Sequence, residues 1–298
     1  MPRETPRELT RVGAHALLHV TVLLWGLTAI LGRQISIAAI PLVWYRILFV
    51  IVALAVWLPV RGISFRAPAG MARRYAGVGA LIGLHWLCFY AAVKYAGIST
   101  AVLTLSTIAF FTACIEPIVF RRRVAVAELV LGVVVVFGVA LLLRVEVHSD
   151  AFGLGLGFAS ALFSAWFGVL NGQLARAERA ERLLFYEMVA GLATVTVVFV
   201  AWPSAFVAPW QLSLADLGWL AVLALVCTVL AQLWALRVLR VLPPFTVAMS
   251  TNLEPVYSIA FAAVLYPQEE ALSLRFYVGA AFLLGLVAIN ALRRTPPA

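Results

Sequence analysis

Ten mostly apolar stretches of bilayer-crossing length, joined by short connections, restrict this chain more than any other feature. They lie near 14–32, 41–60, 76–95, 98–120, 125–143, 152–172, 182–202, 214–235, 244–266 and 275–292. A helix needs about 20 apolar residues to cross the roughly 30 Å hydrocarbon core of a bilayer. Inside that core no water is present to bond free N–H and C=O groups, so a run of this length crosses as a helix. Hydrophobic residues make up 64% of the chain and charged residues 12%, where soluble domains sit near half and a quarter. The expected fold class is therefore an all-α membrane protein with ten transmembrane helices. The start "MPRETPRELTRVGAHALL" has no small-residue cleavage pattern after its apolar run, which marks a retained first helix and not a signal peptide.

The basic residues give orientation. Of the 22 Lys and Arg, 17 fall on one alternate set of connections, four on the other, and Arg46 lies within a span. Cytoplasmic loops carry the Lys/Arg excess, so both termini are expected in the cytoplasm. The net charge of +9 is spread between apolar runs and forms no single patch, which excludes nucleic acid as a partner. Cys88, Cys114 and Cys227 all fall in apolar runs without metal-ligand spacing, so neither a metal site nor a disulfide framework is expected.

The halves resemble each other weakly. "AVLTLSTIAFF" (101–111) lies against "AMSTNLEPVYS" (248–258), and the same offset sets His85 over Gln232. "PLVWYRILF" (41–49) lies against "RLLFYEMVA" (182–190), with Arg46 over Glu187. Five spans per half is an odd number, so the second copy starts on the opposite side of the membrane. The expectation is two inverted five-helix repeats, 14–143 and 152–292, the design in which secondary transporters bind solute near the midplane.

"LLWGLTAILGR", "PLVWYR" and "LEPVYSIAFAAVLYPQE", with the Gly-bearing "ELVLGVVVVFGVALLL" and "FYVGAAFLLGLVAINAL" that close each half, resemble the EamA-type exporters of the drug/metabolite transporter superfamily. The resemblance spans about residues 15–292. It implies two inverted five-helix repeats around a central cavity in a bacterial inner membrane, exporting small metabolites, with amino-acid exporters among the relatives. The acidic residue that usually ends the fourth helix is replaced here by "RRR" (121–123), while Glu269 and Glu270 keep it in the second half.

Charge inside a bilayer costs on the order of 2.5–3.5 kcal/mol per residue on insertion scales, so such residues face protein or a wet cavity. Glu254 lies about ten residues, or about 15 Å, into the ninth span, close to the midplane. Pro255 beside it opens a turn, and Asn252 and Thr251 can supply groups to the freed carbonyls. Glu254, Pro255 and Asn252 are thus candidates for substrate binding or proton coupling; the plainer reading of Glu254 is a neutral carboxyl bonded to a neighbouring helix. His85, Trp86 and Tyr90 on the third span, with Gln232 as the repeat partner of His85, are candidates to face a shared cavity, and Trp25 to floor it. Arg46 and Glu187 enter their spans from opposite sides, about five residues in. Each is expected to line a gate or pin a helix end, too far apart to pair. Glu116 precedes Arg123 by two helical turns on one face, which suggests a salt bridge at the helix end. Asn171, Gln173 and Asn290 read as capping or packing groups.

"GLGLG" (153–157) and the glycines of the fifth and tenth spans suit close packing or a homodimer, and packing within the chain is the expectation. The only aspartates, Asp150 and Asp216, fall in outer loops, so a paired-aspartate membrane protease is excluded. No H-E-x-x-H or Walker A motif occurs, and no channel filter is evident. The reading is a secondary transporter without catalytic residues, cofactor or metal, whose partners are a small-molecule substrate and the lipid bilayer. Amino acids are the first expectation. Drugs, sugars or nucleosides, and facilitated diffusion without proton coupling, are the alternatives, with an intramembrane enzyme a distant third.

Overall fold

The structure, a computed structural model, describes residues 9–146, 150–265 and 274–293, and those residues are helical and loop with no strand among them. The helices are α1 (Arg11–Gln34), α2 (Ala39–Val60), α3 (Ala72–Leu105), α4 (Ile108–Phe120), α5 (Val126–Glu146), α6 (Ala151–Ala177), α7 (Ala180–Ala201), α8 (Leu214–Ala224), α9 (Ala231–Val238), α10 (Pro244–Thr251), α11 (Glu254–Leu265) and α12 (Leu274–Arg293). A π-helical segment, Leu225–Leu230, joins α8 to α9 without a break. Six helical runs are long and apolar enough to cross a membrane: α1, α2, α3, α6, α7 and the continuous Leu214–Val238. Shorter apolar stretches follow at Ile108–Phe120, Val126–Gly138 and Tyr277–Asn290.

Local chemistry sets the starts. The Thr10 hydroxyl accepts the Gly13 N–H at 3.1 Å, Asp150 accepts the Phe152 N–H at 3.1 Å, and Ser213 accepts the Asp216 N–H at 3.0 Å. Each side chain satisfies one of the donors that a first turn leaves free. Pro244 opens α10 at a position where its missing N–H costs nothing.

Gly97 reverses α3. Its φ of 84° and ψ of 170° are the one non-helical pair in the run, in a region that favours a residue with no Cβ. Ala96 packs on Gly153 of α6, and His85 meets Ser160 further along it. Thr104 comes back to Gly157, between those two levels. The segment after Gly97 therefore runs back alongside the segment before it.

That returning segment is interrupted at Ser106–Thr107 before α4 begins, and the chain between α10 and α11 is interrupted at Asn252–Leu253. The aligned halves thus break their helices at equivalent depth, within one residue. The main interfaces obey the same exchange. Packing of α3 on α6 is matched by α9 on α1, α4 on α6 by α11 on α1, and α3 on α7 by α8 on α2. The pairs α2–α7 and α5–α12 are their own counterparts, and α4 on α10 is matched by α11 on the returning part of α3. A two-repeat architecture fits these pairings, and the halves bury their apolar faces mainly against each other.

The tightest crossing joins α3 to α7. A Cβ at Gly79 would collide with the Glu187 carbonyl, and one at Gly191 would stand 3.1 Å from the Gly79 carbonyl. Small residues let two helix backbones approach this closely. Gly132, Gly153 and Gly157 also meet neighbours within the chain: Phe110, Ala96 and Thr104. Glu269 and Glu270, the acidic pair of the second half, lie outside the described residues.

A central cavity built on Arg46 and Glu254

Inside the bundle lies a cavity of about 60 Å³ lined by Trp25, Thr28, Arg46, His85, Trp86, Phe89, Phe167, Gln232, Thr251 and Glu254, among others. Eight helices contribute, from both halves. A second cavity, also about 60 Å³, shares Trp25, Ile108, Ser164, Phe167, Gln232 and Thr251 with the first and runs on past Asn171 to Leu239 and Pro244. The two form one path from mid-bundle toward the arginine-rich end, where Arg240 follows Leu239. At roughly 10–15 Å³ per water, each part has the volume of about four to six waters.

Arg46 anchors the cavity. It is 2% exposed. Its Nη1 donates to the Tyr90 hydroxyl and its Nε to the Thr228 hydroxyl, both at 2.8 Å. The guanidinium carbon lies 3.9 Å from the centre of the Trp86 ring and 5.5 Å from that of Tyr90. Thr228 sits in the π-helical segment between α8 and α9, which widens the rod there and presents the hydroxyl to α2. Short π segments of this kind frequently occur at functional sites. Among the described residues no carboxylate lies within ion-pair distance of Arg46. Its charge is met by hydroxyls and ring faces, which leaves it available to an anionic group. Arg46 thus lies at the cavity, one helical turn and more from the end it was expected to pin.

Glu254 lines the same cavity from the other half and is 6% exposed. It is the first residue of α11, where the free N–H groups and the helix dipole favour a negative group. Pro255 does not break this helix. The helix ends at Thr251 and restarts at Glu254, so Pro255 stands in a first turn, where a missing N–H leaves nothing unpaired. The Thr251 hydroxyl donates to the Ala248 carbonyl at 2.7 Å within the last turn of α10. Asn252 is fully buried in the interruption, its Nδ2 3.8 Å from the Met249 sulfur and its Oδ1 without a partner.

The remaining sequence candidates divide. His85, Trp86, Gln232 and Trp25 line the cavity, and Tyr90 lies fully buried behind Arg46. The His85 Nδ1 is 2.9 Å from the Ser160 carbonyl. A carbonyl only accepts, so Nδ1 carries the proton and Nε2 is left as an acceptor, with the ring held between Phe89 and Phe167.

Glu116 and Glu187 stand away from this group. Glu116 pairs with Arg122 at 3.1 Å and accepts the Phe245 N–H at 2.8 Å. Arg123, expected as its partner, is displaced because the chain leaves α4 at Arg121 in the left-handed conformation, φ 51°, and Arg122 swings back instead. Glu116 therefore caps the start of α10 and ties the two halves together. Glu187 on α7 is 1% exposed, and neither of its carboxyl oxygens has a hydrogen-bond partner.

Both ends carry polar ties that the spacing of residues could not reveal. At the arginine-poor end Asp216, expected in a loop, lies buried in the first turn of α8. It accepts the Ser36 N–H at 2.7 Å and the Ser36 hydroxyl at 2.8 Å, while Lys94 donates to the Ile35 carbonyl at 2.7 Å. At the arginine-rich end Glu178 accepts from the Tyr75 hydroxyl at 2.8 Å and pairs with Arg182. Burial alone would raise the Glu178 carboxyl, but hydrogen bonds from Arg182, the Arg179 N–H and Tyr75 outweigh it and hold it below its ordinary value. Arg240 donates to the Ala175 and Glu178 carbonyls at 2.7 and 2.6 Å, closing the end of α6.

A family model described as "EamA-like transporter family" matches residues 13–144 and again residues 151–292. No curated protein matches the chain. Among solved structures, one described only as "Crystal structure of protein" superposes with a TM-score of 0.74 at 18% identity, over 97% of this chain and 100% of its own. At that identity the likeness is one of fold.

Proposed function

The chain belongs to the EamA-like transporter family, and from that membership we propose that it exports small zwitterionic metabolites, amino acids first, by alternating access around the Arg46–Glu254 cavity. Membership makes it a multi-pass membrane transporter; the solute and the mechanism are our reading. The single observation that carries this reading is that a guanidinium and a carboxyl, both nearly devoid of solvent exposure, line one aromatic-walled cavity. A solute with a carboxylate and an ammonium group would meet Arg46 with the first and Glu254 with the second, its side chain against Trp25, Trp86 and Phe167. Each end of such a solute would satisfy a charge that is costly to bury alone.

The ten apolar segments would form ten spans in two inverted five-helix repeats, 14–143 and 152–292. The arginine-rich end would face the cytoplasm of a bacterial inner membrane, carrying both termini. The path from the cavity past Asn171 to Pro244 would then lead to the cytoplasm, the loading side of an exporter, while the Asp216–Ser36 and Lys94–Ile35 bonds would close the far side.

Efflux from proteoliposomes loaded with labelled amino acids, sugars and nucleosides tests this. Selective, saturable loss of amino acids is expected. Movement of sugars or nucleosides alone would overturn the zwitterion reading and turn attention to the aromatic walls.

A further inference from the structure

Glu187 presents a problem the central cavity does not solve. It is 1% exposed on α7, two turns in from the arginine-rich end, and neither carboxyl oxygen has a hydrogen-bond partner. The polar group beside it is Asn171 of α6. The Asn171 Oδ1 is also buried and unpartnered, while the residue lines the second cavity. Three buried acceptors without a close partner thus sit together, with the Asn171 amide N–H as the neighbouring donor. Turning the amide would bring Nδ2 to one carboxyl oxygen and leave the other without a donor.

Among the described residues no ionisable group forms an ion pair or hydrogen bond with Glu187. On the helices packed against α7, Arg46 bonds to Tyr90 and Thr228, Tyr75 to Glu178, His85 to Ser160, Glu178 to Arg182, and Arg237 to Glu181 on α7 itself. A buried carboxylate without donors is costly enough that the group takes up a proton instead. One proton on Glu187 supplies the missing donor, with the Glu187 O–H bonded to Asn171 Oδ1.

We propose that Glu187 is a proton-carrying site: neutral in this conformation, it releases its proton to water when α7 moves against α6 and opens it to the path lined by Asn171, and so links the transport cycle to the proton gradient. The site is separate from the Arg46–Glu254 cavity, and its role in coupling rests on the proposed transport function.

Infrared spectroscopy of the full chain in lipid reads the proton directly. At neutral pH the wild-type protein should show a protonated-carboxyl stretch that Glu187→Gln removes. Asn171→Leu, which deletes the acceptor and keeps the volume, should shift that band without abolishing it. In proteoliposomes, Glu187→Gln should retain equal-pH exchange of a labelled amino acid and lose its stimulation by a pH gradient. An identical protonated-carboxyl band in wild type and Glu187→Gln, or an unchanged gradient response, overturns the proposal. Should Glu187→Gln not fold, a band unmoved by Asn171→Leu overturns it equally. The infrared arm needs no solute. A band lost in Glu187→Gln while no solute moves keeps the protonated site and counts against the transport reading; normal flux with an unchanged band counts against this site alone.

Discussion

Arg46 on α2 lies over the ring of Trp86 on α3, its guanidinium carbon 3.9 Å from the ring centre, with the Tyr90 and Thr228 hydroxyls bonded to its nitrogens. This contact holds a charge in mid-bundle without neutralising it. A desolvated cation over a Trp ring gains up to about 2 kcal/mol, and the hydroxyls orient the fork. Trp86→Leu removes the ring and should slow solute flux by about two- to thirtyfold, the range that about 0.5–2 kcal/mol spans. Trp86→Phe, which keeps a ring face, should lose less. Counterflow of a labelled amino acid in proteoliposomes ranks the three proteins.

Glu116 bridges the halves through the Phe245 N–H. Glu116→Ala takes the carboxylate acceptor from that buried N–H while Arg122 keeps its pair with Glu128, and a buried polar group left unpaired costs about 1–3 kcal/mol. The melting temperature should fall in detergent. Glu116→Gln keeps an acceptor for the N–H and should recover part of the loss, which thermal unfolding followed by intrinsic fluorescence measures.

Glu178 makes stability depend on acid. Its hydrogen bonds hold the carboxyl below its ordinary value in the folded protein, so the unfolded chain binds the proton more readily. The contribution is fully present above the ordinary carboxylate value of about 4.3 and disappears as pH falls through the lower, folded value. Glu178→Gln should therefore lower the melting temperature near neutral pH and converge with wild type in acid. Melting curves across that range decide it.

Gly79 sets the spacing of α3 and α7. Gly79→Ala puts a methyl against the Glu187 carbonyl, and overpacking of this kind costs about 1–3 kcal/mol. Gly77, on the opposite face of α3 and with open space around its Cβ position, is the control: Gly77→Ala should melt like wild type.

Much of this architecture was legible in the chain because it follows from periodicity and length. Each apolar run became a helix or a broken helix, and the weak match of 101–111 to 248–258 marks where both copies interrupt theirs. What could not be read was where a side chain reaches. Arg46 stands about five residues into its span by count, which suggests a gate, yet its long side chain and the inward π segment at Thr228 carry its charge to the cavity. Pro255 reads as a break in mid-helix because the residues that actually end α10, Thr251 and Asn252, have no strong stop signal. The Arg122 pairing depends on one left-handed residue, Arg121, that no spacing rule anticipates. Asp216 and Glu178 act through partners 180 and 103 positions away, Ser36 and Tyr75, and such pairs exist only once the halves dock.

The account turns on whether Arg46 and Glu254 read the two ends of one solute. Competition against efflux of a labelled amino acid, using the unlabelled amino acid, its decarboxylated amine and its deaminated acid, tests this most directly in wild type, Arg46→Gln and Glu254→Gln. In wild type the amino acid should compete at least about tenfold better than either analogue, a difference of about 1.4 kcal/mol. Arg46→Gln should erase its advantage over the amine, and Glu254→Gln its advantage over the acid. Variants that fold and discriminate among the three compounds as wild type does would contradict the account.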